Sequence, residues 1–165
     1  MRKTCVLAVA VFALALPSLA MAQAKDSLVG TWKLVSVTAK MDNGEVNKEV
    51  YGRHPTGFIT YTADGRMMAI ISEDGRKPLS VADRRAAPDA EKAEAFASFI
   101  AYAGTYTYTG DKVVHHVEIS YLQNNVKTDL VRYVTLQGNR VTLRTPPQIL
   151  DGVRQVHELV WERLK

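Results

Sequence analysis

Apolar and polar residues alternate along most of the chain beyond residue 28, and short groups of turn-forming residues interrupt the alternation. A period of two residues predicts β-strands, because successive side chains of a strand point to opposite faces. Asp64-Gly65 and Gly110-Asp111 separate such runs and suit tight hairpins. The pattern predicts eight strands: Gly30–Thr38, Gly57–Thr62, Arg66–Ser72, Thr105–Thr109, Lys112–Tyr121, Thr128–Leu136, Arg140–Thr145 and Gln155–Leu164.

Eight strands joined chiefly as hairpins form an antiparallel sheet, and an open sheet has two edges with unpaired backbone groups. Pairing of the last strand with the first removes both edges. We therefore predict an all-β fold, an eight-stranded antiparallel up-and-down β-barrel.

One segment, Pro88 to Ala103, departs from the alternation. Pro88 suits the first position of a helix, Asp89 lies in its first turn, and Gly104 follows its end. The apolar residues at helical spacing are Ala93, Phe96, Phe99, Ile100 and Ala103. We predict one amphipathic helix across the barrel mouth or wall, preceded by a surface loop or lid from Ser72 to Ala87.

The first 24 residues have a basic start, an apolar run from Cys5 to Leu16 and an end rich in small residues. This is the anatomy of a secretory signal peptide, with cleavage expected after Ala22 or Ala24. The apolar run is shorter than the roughly 20 residues that a membrane span needs, so no stable span is expected after cleavage. We expect a periplasmic or secreted domain of residues 25–165 without cysteine, since Cys5 is the only one.

The charge of the chain argues against a nucleic-acid partner. The formal net charge is +4, and removing Arg2 and Lys3 with the leader leaves 19 basic residues against 17 acidic ones, a net charge of +2. The densest basic cluster that remains is Arg84-Arg85, too small for an electrostatic footprint on phosphate backbones. The composition, 47% hydrophobic and 23% charged, is that of one globular domain.

Several stretches resemble a known family. Gly30-Thr31-Trp32 resembles the G-x-W mark of the lipocalin superfamily, and residues 28–36, 56–67, 114–118 and 159–163 resemble the bacterial and fungal lipocalin-like domain family in the same order. The resemblance covers nearly all of the chain after the leader and implies a lipocalin-like barrel. Related small barrels include both carriers and cyclases, so the function has to be argued from a site.

The resemblance also implies that Trp32 lies at the closed end of the barrel with Arg163 stacked across it. Trp161 lies on the same face of the last strand as Arg163. We interpret Trp32, Arg163 and Trp161 as a structural plug of the barrel.

Two adjacent histidines, His115 and His116, point to opposite faces of one strand and therefore cannot share a metal ion. If the apolar side of this strand faces inward, His115 is a core histidine in an apolar interior. If the other side faces inward, His116, Glu118 and Ser120 form an interior polar ladder. The sequence leaves both alternatives open.

Arg132 is the candidate partner of Glu118. A hairpin centred near Asn125 places the two residues opposite each other. On the outside of the barrel this ion pair contributes little to stability. Inside the barrel it is a polar contact for a carboxylate or enol of a ligand.

Tyrosines supply the remaining candidates for a pocket with apolar walls and hydroxyl groups. Tyr61, Tyr106 and Tyr108 are predicted to line it, and His157 shares the face of Trp161 on the last strand. Tyr102, in the predicted helix, is interpreted as a packing residue.

No catalytic, phosphate-binding or metal-binding motif is present in the sequence, and no cofactor or metal is expected. The favoured hypothesis is an exported barrel, monomeric or weakly dimeric, that binds a small and mostly apolar ligand. The first alternative is a cofactor-free isomerase or cyclase that uses a histidine, Glu118 and tyrosine hydroxyls. The second is an envelope or stress protein with a filled barrel that acts through its surface.

Overall fold

The computed structural model describes residues 27–150 and 152–165, and the predicted signal peptide lies outside these residues. The described chain forms ten strands, a helix α1 and a short 3-10 turn. Their bounds are β1 Gly30–Met41, β2 Val46–Asn47, β3 Thr56–Tyr61, β4 Arg66–Ser72, α1 Asp89–Ala97, β5 Phe99–Tyr108, β6 Lys112–Ser120, the turn Gln123–Asn125, β7 Asp129–Gln137, β8 Arg140–Arg144, β9 Gln148–Leu150 and β10 Val153–Arg163.

Eight of these strands, β1, β3 to β8 and β10, form a closed antiparallel barrel, which confirms the predicted fold. β10 pairs with β8 on one side and with β1 on the other, from Trp32 opposite Arg163 to Met41 opposite Gln155. The short strands β2 and β9 extend the sheet beside β1 and β10. Closure leaves the long strands without an unpaired edge.

The barrel interior follows the alternation of the sequence. Along β3 and β4 every second side chain is buried, and the intervening ones face outward. The largest fully buried side chains are Trp32, Trp161, Tyr61, Leu28, Ile59, His115, Val113 and Val141. Most of them lie toward the end of the barrel that holds Trp32, which we call the closed end.

The closed end is filled by Trp32 and covered by Arg163. The Trp32 ring is fully buried, and its Nε1 donates a hydrogen bond to the Leu28 carbonyl at 2.9 Å. The Arg163 guanidinium lies 4.0 Å from the ring centroid and donates to the carbonyls of Val29 and Ser27. Gly30 permits this contact, since it has φ of 135° and a Cβ there would lie 2.7 Å from Nη1 of Arg163.

Helix α1 is shorter than the sequence predicts. It ends at Ala97, and the prediction that it continues to Ala103 is wrong, because Phe99–Ala103 form the first half of β5. These residues pair with β4, and Tyr102 and Ala103 also pair with β6. Gly104 does not end a helix: it lies in β5 opposite a bulge of β6, and a Cβ there would lie 2.0 Å from the His116 carbonyl oxygen.

The helix lies beside the end of the barrel opposite Trp32, which we call the open end. None of its residues is buried. The Phe96 ring lies 5.2 Å from the ring of Tyr121, which follows the last residue of β6. Arg76 in the preceding connection donates to Ser98 Oγ at 3.0 Å and to the Ala95 carbonyl at 3.1 Å, which holds the helix end to that connection.

The connection between β4 and α1 contains neither a strand nor a helix, and most of its residues are exposed, as predicted for a surface segment. Within residues 27–150 and 152–165, no helix has the length and hydrophobicity needed to cross a membrane.

Candidate functional site

The barrel is hollow toward its open end, where it contains a cavity of about 320 Å³. Apolar residues of the strands form the walls, among them Ile59, Ala69, Ile71, Leu143 and Leu159. The connections and β9 at the open end add further lining residues, among them Tyr51, Tyr121, Asn125, Gln148 and Leu150. We call this space the barrel cavity.

Arg132 is the charged residue of the barrel cavity. It lies on β7, half-buried, and its Nη1 donates to the Val131 carbonyl at 2.8 Å. Among the described residues, no aspartate or glutamate lines the cavity, and no ion pair includes Arg132. The cavity therefore combines apolar walls with one positive charge.

A chain of hydrogen bonds lies behind the cavity wall. His115, fully buried, contacts the Tyr61 hydroxyl through Nε2 at 2.8 Å and the Tyr102 hydroxyl through Nδ1 at 3.0 Å. Tyr102 lines the cavity. We call these three residues the Tyr61–His115–Tyr102 chain.

Burial keeps this chain uncharged. Burial holds the pKa of His115 well below its usual value, and the charge of Arg132 and the proximity of His116 lower it further. Burial likewise raises the pKa of Tyr61 and of Tyr102, and for Tyr102 the charge and hydrogen bonding of Arg132 oppose part of the rise. The imidazole is thus neutral, with one nitrogen that donates and one that accepts.

His157 forms a second polar position in the cavity wall. Its Nε2 lies 3.1 Å from Oε1 of Gln155, whose amide nitrogen donates to the Leu150 carbonyl at 3.2 Å. Because the amide oxygen only accepts, Nε2 of His157 carries the proton and Nδ1 is an acceptor. Burial, followed by the charge of Arg132, lowers the pKa of His157, and the Tyr51 ring packs edge-on against it at 5.9 Å.

Trp161 also lines the cavity and is buried. Its Nε1 has no hydrogen-bond partner within the part of the chain that the structure describes. A buried donor without a partner is unfavourable in the folded protein.

Comparison with known families agrees with this architecture. The family model described as the lipocalin-like domain matches residues 29–164, which is nearly the whole described chain. The chain belongs to the lipocalin-like domain family.

Among solved structures, the lipocalin-like chain is similar to the crystal structure of an uncharacterized protein from Bacteroides eggerthii, at 12% sequence identity and a TM-score of 0.41. The match covers 83% of this chain and 99% of the other. No curated protein matches the chain.

In this lipocalin-like barrel, the predicted site residues fall into three groups. Arg132, His157 and Trp161 line the cavity. Four others are buried outside its lining: Tyr61, Tyr106, Tyr108 and His115. The Tyr106 hydroxyl donates to the Thr62 carbonyl at 3.0 Å and that of Tyr108 to the Gly110 carbonyl at 2.7 Å, so both are bound to their own barrel wall.

The third group, His116 and Glu118, lies on the outer surface, so the alternative of an interior ladder with these residues is wrong. His116 Nδ1 lies 2.7 Å from Asp129 Oδ1, and Arg66 Nη1 donates to Glu118 Oε2 at 2.6 Å. The apolar side of β6 faces inward, since burying Val113 and Val117 removes more apolar surface from water. The alternative hypothesis of an isomerase or cyclase requires Glu118 inside the barrel, and the barrel wall separates this carboxylate from His115.

The predicted opposition of Glu118 and Arg132 is wrong in register. Arg132 pairs with Val113, and β6 and β7 pair only up to His116 opposite Asp129. The chain reverses through residues 121–128 rather than in a short hairpin, with Lys127 in a left-handed conformation at φ of 63°. Arg132 therefore lies on the inward face of β7 without Glu118 as a partner.

Sequence reasoning missed Tyr51, Tyr102 and Tyr121 as cavity residues. Tyr102 shares its face with Tyr106 and Tyr108 when the alternation of β5 is extended toward the N-terminus. That signal was present, but the helical spacing of the neighbouring apolar residues concealed it. Tyr51 lies in an irregular segment, where no periodicity indicates a direction.

The outer wall of the lipocalin-like barrel carries exposed apolar residues on neighbouring strands. Met68 and Ile70 of β4 and Ile119 of β6 flank Ala101 and Ala103 of β5. An exposed apolar patch is one condition of the surface hypothesis. Its other condition, a filled barrel, is not met, because the barrel contains the cavity.

Neutral histidines inside the barrel predict a loss of stability in acid. His115 and His157 have a lowered pKa in the folded chain, whereas an unfolded histidine binds a proton near pH 6.5. Their contribution is present above about pH 6.5, and below it the unfolded chain takes up protons that the folded chain does not. For each such histidine the free energy of unfolding falls by at most about 1.4 kcal/mol per pH unit, in the range between pH 6.5 and the lowered pKa of the folded chain.

Urea unfolding at pH 7.5, 6.5, 5.5 and 5.0 measures this slope. The variant His157→Gln is expected to retain the contribution of His115 and to lose that of His157, so that its free energy of unfolding falls less steeply with decreasing pH. A free energy of unfolding that is equal at pH 7.5 and pH 5.5 contradicts the prediction.

Proposed function

We propose that the protein binds a small, mostly apolar molecule in the barrel cavity, with one acidic or carbonyl oxygen of the ligand held at Arg132. The observation that carries this proposal is an arginine in a cavity with apolar strand walls, with no carboxylate partner among the described residues. A charge in such a place is unfavourable unless it is paired, and a ligand anion supplies the partner.

The size of the cavity limits the ligand. At about 320 Å³ the space lies at the lower end of the range of about 300–1,000 Å³ typical of small-molecule pockets. Apolar walls favour a hydrocarbon body, and the connections at the open end surround its entry.

The signal-like leader supports a further proposal, that binding takes place in the periplasm or outside the cell, and N-terminal sequencing of the exported protein tests it.

Titration calorimetry of the purified protein with butanoate, hexanoate, octanoate and decanoate tests the proposed function. We expect one-to-one binding whose affinity rises about fourfold with each added methylene, which corresponds to about 0.8 kcal/mol of apolar burial. The affinity then levels off once the chain fills the cavity.

The variant Ala69→Phe serves as a control, because Ala69 lines the cavity and a phenylalanine ring at this position occupies part of it. Its affinity is expected to level off at a shorter chain. Absence of saturable binding across the whole series, or a rise in affinity that Ala69→Phe leaves unchanged, refutes binding in the barrel cavity.

A further inference from the structure

We infer that the Tyr61–His115–Tyr102 chain fixes the Tyr102 hydroxyl as a hydrogen-bond donor to the barrel cavity, and that this donor makes the cavity selective for carboxylates over neutral amides. The inference rests on the proposed function and names the head group of its ligand. It makes Tyr61 and His115 positioning residues, since neither lines the cavity.

The first step is the direction of the hydrogen bond between Tyr61 and His115. The Tyr61 hydroxyl is buried, and His115 Nε2 at 2.8 Å is its one hydrogen-bond partner among the described residues. If Nε2 donated to this oxygen, the hydroxyl hydrogen of Tyr61 would be left buried without an acceptor. Tyr61 therefore donates, and Nε2 accepts.

The second step fixes the other side of the imidazole. A neutral imidazole that accepts at Nε2 carries its proton at Nδ1. Nδ1 lies 3.0 Å from the Tyr102 hydroxyl oxygen, so it donates to that oxygen. The direction set at Tyr61 is thus passed through the ring to Tyr102.

The third step concerns the hydroxyl hydrogen of Tyr102. The oxygen already accepts from His115 and faces Arg132, which has donors only and cannot accept. Since Tyr102 lines the cavity, its hydrogen is available to an acceptor inside it.

Two donor groups thus lie side by side at the cavity, the Arg132 guanidinium and the Tyr102 hydroxyl. A carboxylate matches them, because it has two accepting oxygens, no hydrogen and a negative charge. A primary amide of the same shape has one accepting oxygen and turns its NH₂ group toward donors.

Octanoate and octanamide are the probes, and Tyr61→Phe is the variant that tests the chain. In the wild-type protein we expect octanoate to bind at least tenfold more tightly than octanamide. Tyr61→Phe removes the donor to Nε2, so the imidazole is free to accept from Tyr102 and to turn its hydroxyl away from the cavity. The affinity for octanoate is expected to fall about tenfold, and that for octanamide by much less.

Tyr108→Phe is the matched control, because it removes another buried tyrosine hydroxyl. That hydroxyl donates to the Gly110 carbonyl and is not part of the Tyr61–His115–Tyr102 chain. It is expected to preserve the preference for octanoate. An equal preference in the wild type and in Tyr61→Phe overturns the inference.

Nitrogen-15 NMR of the ligand-free wild-type protein reads the tautomer directly and does not depend on any variant folding. We expect His115 to be protonated at Nδ1, and protonation at Nε2 overturns the inference while leaving the proposed function intact. If His115 is protonated at Nδ1 but neither probe binds, the proposed function is refuted, and with it the role of the chain in recognition.

Discussion

Replacing Trp32 with alanine is expected to lower the free energy of unfolding by about 3–5 kcal/mol. The side chain is fully buried, donates to the Leu28 carbonyl and lies beneath the Arg163 guanidinium at 4.0 Å. The substitution leaves a cavity at the closed end and removes both contacts. Since the free energy of unfolding of a domain of this size is only about 5–15 kcal/mol, this loss is a large fraction of it.

Urea unfolding followed by circular dichroism measures this loss, because it reports the whole barrel. Val35→Ala on the same strand is the control, since Val35 is largely exposed on the outer face and its truncation is expected to change stability by less than about 0.5 kcal/mol. If the two variants unfold at the same urea concentration, the closed end does not hold the barrel together.

The strands could be predicted because their signal is local. Where one face of a strand is buried, as in β3 and β4, alternation in the sequence gives both the element and its inward side. Closure followed from the cost of unpaired edges, and the structure pairs β1 with β10. These inferences needed no knowledge of how distant segments pack.

The end of the helix depends on a tertiary interaction that the sequence does not display. Phe99 and Ile100 fit a helical period as well as a strand, and hydrogen bonding to β4 decides in favour of the strand. The register between β6 and β7 likewise depends on tertiary structure. It depends on the extra length of residues 121–128, which separates Arg132 from Glu118.

The cavity was the least predictable part of the molecule. A strand such as β6, with apolar residues on one face and His116 and Glu118 on the other, does not reveal from sequence alone whether its polar face lines a wet interior. The structure buries His115 and leaves His116 outside. Tyr102 and Arg132 lie close together although 30 positions separate them, because β5 and β7 both pair with β6.

Replacing Arg132 with leucine is expected to weaken octanoate binding at least 30-fold while leaving the free energy of unfolding equal to or above that of the wild type. Removing one partner of a buried charge pair costs at least about 2 kcal/mol of binding, which gives this factor. Stability behaves in the opposite way, because Arg132 has no carboxylate partner among the described residues and its desolvation opposes folding.

Calorimetric titration and urea unfolding of the same preparations measure the two effects, and Arg144→Leu is the matched control. Arg144 lies exposed on β8, with its guanidinium 5.2 Å from the Tyr133 ring on the outer face. Its removal is expected to leave octanoate affinity unchanged, because the barrel wall and solvent screen its charge from the cavity. Equal losses of binding in both variants would indicate a general effect of positive charge, whereas loss of stability in Arg132→Leu would identify Arg132 as a structural residue rather than the partner of a ligand.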